Sequence, residues 1–145
     1  MSLAMSRTER EAFLAGTHVA VVSIAEEGRG PLTVPVWYRY EPGGEVRFAT
    51  GDDSRKARLL KRAGRASLCV QTEKAPYLYV SVEGPTTIEV VDFERDTREM
   101  AVRYLGSKAG EAYLAATYPD ATTTELLVRL RPERWWSADF RKFGM

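Results

Sequence analysis

The residues best suited to bind a charged group lie in one short stretch, from Thr50 to Lys56. Two hydroxyls, Thr50 and Ser54, are followed directly by two cations, Arg55 and Lys56. The pattern predicts a strand that ends at Thr50, a polar turn, and a helix capped by Ser54. The free N–H groups and the positive dipole end of such a helix attract anions. The stretch therefore predicts a phosphate site, although an ordinary helix cap with two solvated cations fits the same residues.

Few other residues offer chemistry of their own. The single histidine, His18, stands at the start of an apolar run, and the single cysteine, Cys69, lies inside another. The sequence carries no metal-site spacing, no paired nucleophile and base, and no Walker-type phosphate loop. We expect His18 to be structural rather than a general base. Cys69 is expected to be a buried strand residue, which suits a reducing cytoplasm.

The composition is that of an ordinary globular protein. The 145 residues are enough for one core without disulfides or metal, so we expect a single domain over residues 1–145. The 21 basic and 20 acidic residues give a net charge of +1, which offers no reason to expect nucleic acid as a partner. No apolar stretch approaches the roughly 20 residues that span a bilayer, and no export signal is evident. We therefore expect neither a membrane partner nor export. Residues before Met5 are left out of the predicted fold.

Apolar runs with β-branched residues or strict alternation predict six strands. The expected strands are 18–25, 32–40, 45–50, 65–72, 77–91 and 125–131, the first covered on both faces. Capping residues and stop signals predict helices at 7–15, 55–63, 93–105 and 108–118. This order describes a mainly β protein, an antiparallel barrel with peripheral helices.

Pro35 is the informative residue of the second strand. Proline cannot donate a ladder hydrogen bond, so this strand should lie at an edge or carry a bulge. An edge at Pro35 exposes backbone groups that a flat heterocycle can contact. Protection of the edge against aggregation explains the same proline equally well.

Exposed aromatic residues are predicted on two segments. In the fifth strand Leu78 and its alternate neighbours point into the barrel, so Tyr77 and Tyr79 point outward. Trp135 and Trp136 cannot share one face of a strand, so at most one of them belongs to the core. This much exposed aromatic area predicts a two-fold homodimer.

Three motifs together resemble the pyridoxamine 5'-phosphate oxidase-like family of FMN- or deazaflavin-binding split β-barrels. The first is Phe-x-Thr-x-x-x-Ser-Arg-Lys at 48–56, the second is Val-Glu-Gly at 82–84, and the third is Arg-Leu-Arg-Pro at 129–132 followed by two tryptophans. The resemblance covers roughly residues 8–140. It implies a six-stranded antiparallel split β-barrel with peripheral helices.

The resemblance also implies roles for individual residues. Ser54, Arg55 and Lys56 would hold the flavin phosphate with support from Thr50. The strand at Pro35, Val36 and Trp37 would lie against the ring, with Tyr77 or Tyr79 near its open side. Family members dimerise with the flavin between protomers, so Trp136 would close the partner's site while Trp135 packs inward. The implied cofactor-binding residues are Pro35, Val36, Trp37, Thr50, Ser54, Arg55, Lys56, Tyr77, Tyr79 and Trp136.

The implied function is a flavin- or deazaflavin-dependent oxidoreductase with direct hydride transfer to or from a small organic substrate. Pyridoxamine phosphate oxidase itself has an Arg-x-Val-Leu-Leu-Lys pattern where this chain has Val-Pro-Val-Trp-Tyr-Arg at 34–39. The chain looks more like the branch that uses coenzyme F420, with FMN close behind. Two alternatives stay open: a non-catalytic protein that stores or senses a flavin or deazaflavin, and a barrel that binds nothing.

Overall fold

The computed structural model describes residues 2–144, which form seven strands and four α-helices. The strands are β1 (Ala20–Ile24), β2 (Leu32–Val36), β3 (Val46–Thr50), β4 (Arg65–Gln71), β5 (Leu78–Val90), β6 (Leu126–Leu130) and β7 (Arg134–Asp139). The helices are α1 (Arg7–Ala15), α2 (Arg55–Ala63), α3 (Glu99–Leu105) and α4 (Ser107–Thr117). A π-helical segment, Phe93–Arg98, leads into α3, and a 3-10 turn, Phe140–Phe143, follows β7. None of the helices within residues 2–144 has the length and hydropathy to cross a membrane.

Six strands form an antiparallel barrel in the order β2-β1-β4-β5-β6-β3. The long strand β5 belongs to both halves: its first part pairs with β4 and β7, and its second part pairs with β6. A two-residue bridge between Arg39 and Arg47 joins the end of the β2 segment to β3. The predicted antiparallel barrel with peripheral helices is confirmed, and β2 is an edge strand, as Pro35 predicts.

The inward faces of the strands form one hydrophobic core around Tyr38, Phe48 and Leu68. The predicted inward and outward faces of β5 are confirmed, because Val80 and Val82 are fully buried whereas Tyr77 and Tyr79 are exposed. The two tryptophans of the tail also lie on opposite faces, as expected. Trp135 packs against the core, and Trp136 is 52% exposed.

Two expectations about burial are wrong, and the two termini make contacts that the pattern does not predict. Strand β1 is not covered on both faces, because no element of the described chain packs over its outer side and Val21 stays exposed. Cys69 lies on the same outer side of β4 and is therefore only half-buried. The tail forms a seventh strand, β7, which the pattern does not predict. Met5, which precedes the predicted fold, is buried, and its N–H donates to the Ser137 hydroxyl at 2.9 Å.

The helix ends follow from their capping residues. Ser6 and Glu9 form the expected capping box of α1. The helix predicted at 93–105 is present but begins as a π-helix. Its Asp92 cap is confirmed, since the side chain accepts a hydrogen bond from the Arg95 N–H at 2.8 Å. The wider turn places Asp96 and Thr97 on the buried side.

Gly84 lies where β5 passes from one half of the barrel to the other. The connection between β6 and β7 crosses it, held by hydrogen bonds from the Arg131 N–H to the Pro85 carbonyl at 3.0 Å and from the Glu133 N–H to the Glu83 carbonyl at 2.8 Å. A Cβ at Gly84 would lie 1.8 Å from the Arg131 carbonyl oxygen. Only glycine leaves room for this crossing, which is the physical reason for glycine in the Val-Glu-Gly motif.

We therefore expect Gly84→Ala to lower the free energy of unfolding by roughly 3 kcal/mol or more, because backbone atoms on both strands have to move apart. Chemical denaturation measures the loss. Gly30→Ala is the matched control, since a Cβ at Gly30 meets no atom within 4 Å. Equal stability of the two variants would contradict the proposed crowding at the crossing.

Candidate functional site

A cavity of about 530 Å³ opens between the edge of the barrel and the α3–α4 pair. Strand β2 and the residue after it contribute Pro35, Val36 and Trp37, and Lys56 comes from the first turn of α2. Four of the ten residues predicted to bind a cofactor are therefore brought together around one space. Its volume lies in the range of small-molecule sites.

The N-terminus of α2 is built as the sequence predicts. The Ser54 hydroxyl accepts a hydrogen bond from the Ala57 N–H at 3.1 Å and shares another with the buried Thr50 hydroxyl at 2.7 Å. Thr50 therefore holds the capping side chain in place. The remaining first-turn N–H groups have no partner within the helix and stay available to an anion.

The two cations at this N-terminus have different surroundings. Arg55 forms an ion pair with Glu26, from the turn that connects β1 and β2. Lys56 lines the cavity and forms no ion pair with any carboxylate of residues 2–144. Lys56 is thus the uncompensated cation of the pair, whereas Arg55 would have to leave Glu26 to reach a ligand.

Trp37 is fixed against Tyr104 of α3. The two rings stack with 4.9 Å between centroids and 4° between planes. The Tyr104 hydroxyl accepts a hydrogen bond from the Tyr38 N–H at 3.0 Å and donates to the His18 carbonyl at 2.6 Å. Burial raises the pKa of Tyr104, so the hydroxyl keeps its proton at neutral pH. This packing gives Trp37 one orientation at the cavity wall.

The remaining wall comes from the helical pair and the start of β6. Tyr113 and Tyr118 line the cavity together with Glu125. The Tyr118 hydroxyl donates to Oε1 of Glu125 at 2.7 Å. Burial raises the pKa of Tyr118, and the bond to the Glu125 carboxylate raises it further. Tyr118 therefore remains a neutral donor that holds the carboxylate in place.

Asp96 is a buried carboxylate at the cavity wall. It accepts hydrogen bonds from Arg95 Nε at 2.9 Å and Nη2 at 2.8 Å, and from the Asp92 N–H at 2.9 Å. Burial by itself raises the pKa of Asp96, but the bonds from Arg95 and Asp92 outweigh burial and hold this pKa below its ordinary value. Asp96 is therefore a charged group whose charge is already balanced.

His18 is held by the end of α1. Its Nε2 lies 3.0 Å from the Phe13 carbonyl oxygen, which requires a donated N–H, and its ring lies 4.6 Å from the Phe13 ring. The contacts are those of a structural histidine.

The other predicted residues lie on the outer face of the sheet. Tyr77, Tyr79 and Trp136 are exposed there and do not line the cavity of their own chain. The strand register places one continuous row across this face: Pro35, Val21, Cys69, Ser81 and Trp136. The cavity edge at Pro35 therefore runs directly into this outer face.

Sequence reasoning missed Tyr104, which supports Trp37, and several residues that line the cavity: Asp96, Thr97, Met100, Tyr113, Tyr118 and Glu125. On the sequence the tyrosines and Met100 have the spacing of ordinary apolar helix positions. The one signal available was a tyrosine at an apolar helix position. A buried tyrosine needs a hydrogen-bond partner, which indicates a polar group nearby. Glu125 sits one residue before an apolar strand and carries no local signal.

The pattern of one protein family, pyridoxamine 5'-phosphate oxidase, matches residues 6–139. No curated protein is similar enough in sequence to count as a match. The match extends from the cap of α1 to the end of β7, and so includes every residue of the cavity.

Solved structures share the fold. Conserved hypothetical protein Rv2991 from Mycobacterium tuberculosis has a TM-score of 0.80 and 24% identity, over 99% of this chain and 91% of that one. An F420 reductase has a TM-score of 0.71 and 20% identity, over 87% and 94%. An FAD-binding protein from Mesorhizobium loti has a TM-score of 0.65 and 18% identity, over 92% and 94%. At these identities the likeness establishes the split-barrel fold alone.

The buried Asp96 gives the first prediction for this site. We expect Asp96→Asn to lower the melting temperature at pH 7 by roughly 2–6 °C, because charge-assisted bonds to Arg95 are lost. The pKa of Asp96 is lowered in the folded state, so its stabilisation is present above the unfolded-state pKa of about 3.9 and disappears as pH falls through the folded-state pKa. The difference in melting temperature between the variant and the parent should therefore become smaller as the pH falls.

Thermal melts from pH 7 to pH 3 measure this difference. Asp120→Asn, at an exposed loop position, is the control and should track the parent throughout. If the difference in melting temperature between Asp96→Asn and the parent stays constant with pH, the charge of the Asp96 carboxylate does not stabilise the cavity wall.

Proposed function

The chain belongs to the pyridoxamine 5'-phosphate oxidase family, and from this premise we propose that it is an oxidoreductase that binds a flavin or deazaflavin in the cavity beside Lys56. A bound ring of this kind supplies hydride transfer to or from a small organic substrate. The observation that carries the proposal is the uncompensated cation Lys56 at the N-terminus of α2, next to the Ser54–Thr50 hydroxyl pair.

The residues fit a cofactor phosphate and a flat ring. Lys56, Ser54 and the free N–H groups of α2 would hold the phosphate, with Thr50 supporting Ser54. Pro35, Val36 and Trp37 would lie along the ring and exclude water from it. Arg55 would be the weaker contributor, since it has to exchange Glu26 for the phosphate.

We favour coenzyme F420 as the cofactor, with FMN second. The strand 34–37 carries proline and tryptophan in place of the basic pattern of pyridoxamine phosphate oxidase, and an F420 reductase has a similar fold. The FAD-binding protein of the same fold keeps the ordinary flavins as candidates.

A storage or sensing protein is the second candidate function. It is favoured by the engagement of His18 with Phe13, which leaves no histidine of the described chain free for acid–base work. Absorption spectra of the purified protein, with mass spectrometry of the released ligand, identify the cofactor. Anaerobic reduction and reoxidation by small-molecule partners then separate an enzyme, which cycles, from a storage protein, which does not.

The proposed assembly is a homodimer through the outer face of the sheet. Val21, Tyr77, Tyr79 and Trp136 give this face more exposed apolar area than a small monomer usually leaves in water. Because Pro35 continues the same row, a partner packed there would bring its Trp136 and tyrosines toward the cavity edge. These three residues would then belong to a site shared between protomers.

Lys56 provides the test of the binding mode. We expect Lys56→Ala to weaken binding of FMN and of F420 by about 10- to 100-fold, because a charge-assisted bond to the phosphate is lost. Arg55→Ala should have a smaller effect, since Arg55 is already paired. Isothermal titration or fluorescence quenching measures the affinities.

Lys61→Ala is the matched control, because Lys61 belongs to the last turn of the same helix and is exposed. It changes the net charge equally and should leave the affinity near that of the parent. Lys56→Ala with parental affinity for both cofactors would remove the phosphate assignment.

The assembly has its own test. Val21→Arg places a charge at the centre of the outer face and should convert a dimer into a monomer in analytical ultracentrifugation at micromolar concentration. Val90→Arg is the control, since Val90 is also exposed but lies at the far end of β5. A parent chain that is already monomeric, or a Val21→Arg variant that stays dimeric, counts against this interface.

A further inference from the structure

Three aromatic rings form a contiguous wall on the helical side of the cavity. The rings of Trp37 and Tyr113 lie 5.8 Å apart at 58°, and those of Tyr113 and Tyr118 lie 6.3 Å apart at 77°. All three residues line the cavity, while one face of Trp37 is covered by Tyr104. An alkylated ammonium group is attracted to the exposed face of an aromatic ring.

A carboxylate stands next to this wall. Oε1 of Glu125 accepts hydrogen bonds from the Tyr118 hydroxyl at 2.7 Å and from the Thr123 hydroxyl at 3.4 Å. Both bonds go to the same oxygen, and no cation within the described part of the chain pairs with Glu125. One carboxylate oxygen therefore keeps its capacity to accept a hydrogen bond or to face a positive charge.

The neighbouring wall holds a polar group without a partner. Thr97 lines the same cavity, is 8% exposed, and its hydroxyl makes no hydrogen bond in residues 2–144. The hydroxyl oxygen itself is closed off from solvent, so it is not among the groups that a ligand in the cavity can contact. The adjacent Asp96 is satisfied by Arg95 and cannot serve as the counter-charge.

We propose that Trp37, Tyr113, Tyr118 and Glu125 form a subsite for an organic ammonium group of the substrate. The inference rests on the proposed function, since it assigns the substrate class of the same cavity. In that cavity the Lys56 side takes the anionic part of the cofactor, and the Glu125 side takes a cation. A neutral alkyl group of equal size gains the apolar contacts alone and binds more weakly.

The experiment uses two probes of nearly equal shape. Choline carries the ammonium charge, and 3,3-dimethyl-1-butanol replaces its nitrogen with carbon. Their dissociation constants are measured by ligand-observed NMR titration on the full chain, with and without saturating FMN. We expect choline to bind about tenfold more tightly than the alcohol.

Affinities of three variants for the probes test whether choline binds at this subsite. Glu125→Gln keeps the size of the side chain and an acceptor for Tyr118 but removes the charge. It should therefore weaken binding of choline about tenfold and leave binding of the alcohol unchanged. Tyr113→Leu, at a partly exposed position that tolerates change, should weaken choline as well. Asp120→Asn removes an equal charge from an exposed loop position, where Asp120 forms no ion pair within residues 2–144, and is the matched control.

The outcomes separate this inference from the proposed function. Lys56→Ala should lose FMN affinity and keep the preference for choline, because Lys56 is not one of the residues proposed to contact the ammonium group. Equal affinity for both probes in the parent, or parental choline affinity in Glu125→Gln and Tyr113→Leu, overturns the ammonium subsite whether or not FMN binds. Absence of FMN and F420 binding together with an intact, Glu125-dependent preference for choline overturns the proposed function and leaves the subsite in place.

Discussion

The barrel depends on one strand, β5, that serves two sets of neighbours. Its first half lies between β4 and β7, and its second half pairs with β6. The chain between β6 and β7 has to cross this strand at the change of partner, where Gly84 leaves room for the Arg131 carbonyl. The crossing directs β7 back along the first half of β5, which puts Trp135 on the core side and Trp136 on the outer face. The position of Trp136 on the outer face is thus a consequence of the crossing.

Helix α3 is fixed over the cavity by the carbonyl groups that α1 leaves open at its C-terminus. Tyr38 donates to the Leu14 carbonyl at 2.6 Å, and Arg103 donates to the carbonyls of Ala15 at 2.9 Å and Gly16 at 3.0 Å. A helix end without such donors would bury unsatisfied carbonyls. Burial raises the pKa of Tyr38, so it remains a donor. Hydrogen bonds between distant parts of the chain therefore hold the aromatic wall in place. They fix the orientation of Trp37 without a bound ligand.

The features that depend on residues close together in the sequence were predicted correctly. The bounds of α1 and α2, the caps at Ser6, Ser54 and Asp92, and the edge position of β2 follow from capping, stop signals and the missing N–H of Pro35. The wrong expectations concern pairing across long separations. Whether Val21 and Cys69 are covered depends on what packs outside the sheet, and the partner of Arg55 is Glu26, 29 residues away. Glu125 joins the cavity only because β6 pairs with β3, at a separation that no short pattern encodes.

The charged residues around the cavity are of two kinds: those that form an ion pair and those that do not. Arg55 is balanced by Glu26, and Asp96 is balanced by Arg95, so these residues stabilise the walls and add little net field. Lys56 and Glu125 line the same space and belong to no ion pair within residues 2–144. Because a partly buried charge without a counter-charge is unfavourable, each would be stabilised by a ligand group of opposite sign. One cation and one anion in a single cavity therefore favour a pair of ligands, or one ligand with two charged ends, over a single neutral molecule.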